Sequence, residues 1–198
     1  MADTVATARL NGKDLINVGV YTAITMFVVF IVGFLNAFPP IYPVLMVVWP
    51  LAAAIPMMLY YTKITKFGML TLTGIITGLF FFLVGYTWVA LVVMSIAGLA
   101  ADVVLKLGGY QRFAAHAVSY GVYCLGMISG PLLLWFAGPA YWDGIEQAMG
   151  AEYAQALQGF MPPWMLYVAV PVLFVSGLAG AFLGRRMLRK HFTRAGIA

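Results

Sequence analysis

The chain has 198 residues, of which 64% are hydrophobic and 9% charged, with 11 Lys and Arg against 6 Asp and Glu. Soluble domains carry roughly 25% charged residues, so a water-soluble fold cannot hide this much apolar surface; the mean hydropathy of +0.97 makes lipid the solvent. The formal charge of +5 does not point to nucleic acid, because Arg9, Lys13, Lys63, Lys66, Lys106, Arg112, Arg185, Arg186, Arg189, Lys190 and Arg194 occupy only alternate gaps between apolar runs, as the positive-inside rule requires.

A spanning helix needs roughly 20 apolar residues, and six spans would leave about 33 residues each, loops included. The expected architecture is therefore an all-α, integral membrane six-helix bundle filling residues 1–198 as a single membrane domain. The opening Met1–Gly12 is polar and mixed, so no signal peptide is expected. The first span covers about 14–36 and stops at Asn36 and the Pro39–Pro40 pair. The second covers about 43–61; Pro50 and Pro56 lie inside it, which predicts a kinked or broken helix. Lys63 and Lys66 mark its inner end.

Asp102 is the one ionised side chain between Phe67 and Leu105. That stretch is too long for one crossing, and Gly85-Tyr86-Thr87-Trp88 offers a tight outer turn. The third and fourth spans are therefore placed at about 67–86 and 88–106. Gly108–Gly109 reads as an inner loop before the fifth span, at about 112–137, and the sixth covers about 164–186 ahead of a basic tail. The gap from Gly138 to Pro163 holds Asp143, Glu146 and Glu152 and no Lys or Arg. Its Ile145, Met149, Tyr153, Leu157 and Phe160 recur at helical spacing, predicting a short outer amphipathic helix. Six crossings put every basic residue on the inner side, with the N- and C-termini cytoplasmic.

Small residues recur four apart at Gly19/Ala23, Gly74/Gly78, Gly126/Gly130 and Gly180/Gly184. Such pairs let helix backbones approach closely in lipid, and internal packing explains most of them. No GxSxG elbow, phosphate loop or HExxH motif is present, so neither a catalytic constellation nor a metal site or other cofactor is expected. His116 and His191 have no second ligand nearby in sequence, and Cys124 reads as a small core residue. Asp102 precedes Lys106 by four residues, which suits a helix ion pair near the inner surface; a role in proton or ion coupling is the alternative.

Three stretches carry a resemblance: Lys13-Asp14-Leu15-Ile16-Asn17-Val18-Gly19-Val20-Tyr21-Thr22-Ala23 at the start, Ala101–Val104 with Gly108-Gly109-Tyr110 in the middle, and Gly184–Phe192 with Arg194–Ile197 at the end. Together they resemble the MptD family, also called Trep_Strep, of S-components of energy-coupling-factor (ECF) transporters. The resemblance implies a six-helix substrate-capture subunit that docks on a transmembrane coupling subunit driven by two ATP-binding-cassette ATPases. It also implies that a small-xxx-small motif on the first helix, here Gly19 and Ala23, packs on the coupling subunit. The ligand pocket would lie at the outer side, under the Asn36–Pro43 loop.

An outer pocket should combine aromatic walls with a few polar groups. Asn36, Phe38, Tyr42, Trp88, Ser129, Trp135, Trp142, Trp164 and Tyr167 stand at outer depth; anchoring in the membrane interface is the other use of their Trp and Tyr members. The expected function is capture of a small molecule at the outer face of a prokaryotic plasma membrane, by a multi-pass protein that is not itself an enzyme. A self-contained secondary transporter or channel, acting as a homo-oligomer, is the alternative.

Overall fold

The computed structural model describes residues 9–194, with side chains through Lys190. The first residues of the polar leader, His191 and Arg194 as side chains, and the closing Ala195–Ala198 lie outside the described residues. All regular structure among those residues is helical. Five apolar helical segments are long enough to cross a bilayer: Gly12–Ala37, Pro39–Tyr61, Trp88–Gly108, Phe113–Phe136 and Met165–Lys190. The chain is a helical integral membrane protein.

Helix α1 (Gly12–Gly33) opens on a reciprocal cap: Asn11 Oδ1 accepts from Asp14 N (3.0 Å), and Asp14 Oδ2 accepts from Asn11 N (2.9 Å). Two 3-10 turns follow, Phe34–Ala37 and Pro39–Ile41, so the proline-rich connection is wound rather than extended. Helix α2 (Tyr42–Tyr61) corrects the expectation of a break, because it runs through Pro50 and Pro56 as one helix. Its neighbours brace it: Tyr120 donates to the Pro50 carbonyl at 2.6 Å, and a Cβ on Gly180 or Gly184 would come within 2.9 Å of Pro50 O or 2.8 Å of Ala54 O.

Helices α3 (Met69–Leu83) and α4 (Trp88–Gly108) form an antiparallel hairpin. A Cβ on Gly98 would meet Leu70 O at 2.6 Å, and one on Gly78 would meet Leu91 Cα at 2.8 Å, so the two backbones touch along the hairpin. At its tip Gly85 takes φ +104° and the Thr87 side chain caps α4. The expected fifth helix is divided into α5 (Phe113–Cys124), a 3-10 turn (Leu125–Ile128) and α6 (Ser129–Phe136). Pro131 cannot donate to the carbonyl four residues earlier and crowds it, which tightens the preceding turn. The outer amphipathic segment is two helices, α7 (Pro139–Met149) and α8 (Ala151–Phe160), separated by Gly150 at φ +93°. Helix α9 (Met165–Arg194) closes the chain.

The expected Asp102–Lys106 ion pair is absent. Asp102 instead crosses to α3, where Oδ2 accepts from Gly68 N (3.0 Å), Thr71 N (2.7 Å) and Thr71 Oγ1 (2.7 Å). Helix α3 begins at Gly68 with no side-chain cap of its own, so Asp102 supplies the acceptor that its first turn needs. Lys106 sits over the Phe67 ring at 5.3 Å. Cys124 is buried in the core, as its apolar setting suggests.

Candidate functional site

Charge is divided along the bundle axis. Lys66 donates to Asp14 Oδ2 at 2.7 Å, joining the α2–α3 connection to the start of α1. Arg185 lies over the Phe113 ring at 4.1 Å, joining α9 to the start of α5. These contacts gather the described basic residues at one end. Asp143, Glu146 and Glu152 are exposed on α7 and α8, which follow the far end of α6.

Near that second end a cavity of about 270 Å³ opens between α1, α2, the α3–α4 hairpin and the α5–α6 junction. Its walls are mainly aromatic: Phe30, Phe34, Trp49, Phe80, Phe81 and Tyr86. Phe30 meets Phe34 edge-on at 5.2 Å, and Phe81 meets Tyr86 at 5.3 Å. Asn36, Ser129, Gly130, Gly33 and three aliphatic side chains complete the lining. A Cβ on Gly130 would lie 3.0 Å from the Tyr86 ring and 3.3 Å from Tyr42 Oη, so glycine is what allows both phenols to close on this backbone.

Two buried polar atoms in residues lining this cavity, Trp49 Nε1 and Asn36 Oδ1, have no hydrogen-bond partner. A buried orphan of this kind costs about 1–3 kcal/mol, and one donor with one acceptor in the same wall is the complement of a polar ligand. The lining includes no Asp, Glu, Lys, Arg or His.

Helices α7 and α8 pack beside this region. Leu157 and Met161 pack with Tyr42, Met46 and Leu173 in a buried cluster, against which Ile145 and Tyr153 are partly buried. Tyr153 donates to the Asn36 carbonyl at 2.6 Å, fastening α8 to the 3-10 turn after α1. Of the residues expected at the site, Asn36 and Ser129 line the cavity and Tyr42 stands behind Gly130. Trp135 donates to the Met161 carbonyl at 2.9 Å, holding the end of α8, and Trp142 packs in the same cluster. Phe38, Trp88, Trp164 and Tyr167 are exposed and do not line the cavity; interface anchoring suits them. Trp49, Tyr86 and the phenylalanines escaped the sequence reading. A signal for Trp49 existed, since it falls two helical turns after Tyr42 on the same face, and a tryptophan N–H in an apolar run needs a partner.

A second apolar recess, of about 650 Å³, lies between α1 and α3 and includes Gly19 and Ala23. Both residues are exposed, and a Cβ on Gly19 would meet nothing within 4 Å. The other small-residue pairs differ, because each contains glycines pressed against a neighbouring helix.

No group of three or more His, Cys, Asp or Glu able to hold a metal occurs among the described residues. A family model described as "Hypothetical bacterial integral membrane protein (Trep_Strep)" matches residues 12–194. No match was found among curated proteins or among solved structures.

Proposed function

The chain belongs to the Trep_Strep family of bacterial integral membrane proteins, and from that premise we propose that it is the substrate-capture S-component of an ECF-type transporter. The observation that carries the proposal is the aromatic cavity at the end of the bundle opposite the basic residues, with its unpaired donor and acceptor. In this reading the chain crosses the membrane six times. Helix α3 is short, but it lies along α4 from Gly98 to Leu91 and receives the Asp102 cap at its foot, so it crosses with its partner. Basic residues face the cytoplasm, with both termini there, and the cavity faces outward beneath α7 and α8.

Helix α1 presents Gly19 and Ala23 on an open apolar face. In lipid such a face suits close packing of another helix, and the proposed partner is the coupling subunit, which works with two ABC ATPases. The chain itself performs no chemistry in this scheme and needs no cofactor; it binds a small molecule and is turned over by its partners.

Co-expression with a coupling subunit and its ATPases tests the proposal. The wild-type chain is expected to co-purify with them. Gly19→Leu and Ala23→Leu are expected to lose the partners while keeping folded yield, because the Gly19 site is open in the isolated chain. Failure of the wild type to retain them, or loss of folded yield in both variants, contradicts the reading. Reporter fusions after Lys66, Gly109 and Ala198 should report cytoplasm and one near Gly150 the outside; Gly150 and Ala198 on the same side would end the six-crossing scheme.

A further inference from the structure

The chemistry of the cavity wall restricts what can occupy it. No lining side chain carries a charge, so an ionic ligand would be desolvated there with nothing to neutralise it. Trp49 is only 8% exposed, and its indole N–H has no acceptor; the Asn36 amide oxygen has no donor. A purely apolar ligand would leave both as they are. The volume of about 270 Å³ suits a small molecule, and the surfaces of Phe30, Phe34, Phe80 and Phe81 favour a flat ring over a flexible chain.

We propose that this cavity takes a small, flat, uncharged molecule that offers an acceptor to Trp49 Nε1 and a donor to Asn36 Oδ1. An aromatic or heteroaromatic ring bearing a primary amide, a lactam or an adjacent donor–acceptor pair meets the description. Carboxylates, phosphates, amines and metal ions do not. The inference rests on the reading of this cavity as the ligand site and adds the class of ligand to it.

Four probes of one size and different chemistry test it on the purified full-length chain in mild detergent: benzamide, benzoate, benzylamine and toluene, titrated near neutral pH by calorimetry. Benzamide is expected to bind at least about tenfold more tightly than each of the others, the effect of one well-made hydrogen bond or one avoided buried charge. Trp49→Phe, which keeps an aromatic face and removes the N–H, is expected to weaken benzamide about tenfold and not to weaken toluene. If that variant does not fold, the ranking on the wild type still decides. Benzoate or benzylamine binding as well as benzamide, equal binding of toluene, or no benzamide binding at millimolar concentration overturns the assignment.

The partner assay separates the two levels. A chain that retains the coupling subunit but prefers a charged probe keeps its capture role and loses the assigned class. A chain that prefers benzamide but never retains the coupling subunit keeps the class and loses the transporter role.

Discussion

At the end of the bundle that carries the basic residues, buried polar groups are joined to one another. Tyr61 and Ser119 share a hydrogen bond at 2.8 Å, and Ser119 donates onward to the Ala101 carbonyl at 2.7 Å. Tyr60 donates to the Met69 carbonyl at 3.1 Å, and Asp102 Oδ2 takes three donors from the start of α3. Among the described residues, the other Asp102 oxygen is the one buried side-chain orphan there. At the opposite end Trp49 Nε1 and Asn36 Oδ1 are buried and unpaired, in residues that line the cavity. The first arrangement spends its polar groups on holding helices together, and the second leaves two of them unpaired. A fold that must bind and release gains from placing its loosest packing where the ligand enters and its tightest where the helices are anchored.

The largest effect that would sharpen this contrast is at Asp102. Asp102→Ala leaves two backbone N–H groups and the Thr71 hydroxyl without their acceptor, and should cost about 3 kcal/mol in detergent unfolding. Asp102→Asn, which keeps an acceptor oxygen, should recover much of that. Equal stability of the alanine variant and the wild type would show that the basic end is not held in this way.

A smaller effect separates two glycines of similar sequence setting. Gly184→Leu forces a side chain toward the Ala54 carbonyl and Met58 and should destabilise by about 1–3 kcal/mol. Gly19→Leu enters open space and should change stability by less than about 0.5 kcal/mol. Matching losses at both positions would mean that α1 is packed as tightly as α9.

The smallest expected effect is none. The cavity lining contains no Asp, Glu, Lys, Arg or His, and an ordinary phenol is neutral below about pH 10. Ligand affinity should therefore stay level from about pH 6 to 9; a titration within that window would place an ionisable group in the site.

The composition made the membrane and the helices legible, and lysine and arginine placement made the charge asymmetry legible, because both depend on transfer energies that act residue by residue. The interior was less so. Asp102 looked like the partner of Lys106 because a helix face is visible in sequence, whereas its true partners on α3 are visible only once α3 and α4 are folded together. The aromatic candidates divided for a similar reason. Tryptophan and tyrosine at interface depth share one sequence signature whether they anchor in lipid, as Trp164 and Tyr167 suit, or lock a helix end, as Trp135 does. Trp49 lies deeper, and its sequence signal was its place two turns after Tyr42 on one helix face. Gly19/Ala23 and Gly180/Gly184 carry the same spacing, and only the neighbours distinguish an open face from a filled one.

The central claim is that the end beneath α7 and α8 captures a small molecule, and mass spectrometry of what co-purifies with the chain in mild detergent tests it most directly. Gly33 lines the cavity, and a Cβ there would meet nothing within 4 Å, so Gly33→Leu can fill the space without strain elsewhere. A small uncharged compound is expected to be released from the wild-type protein and to be absent from an equally folded Gly33→Leu preparation. The same compound recovered in equal amount from both would contradict that claim.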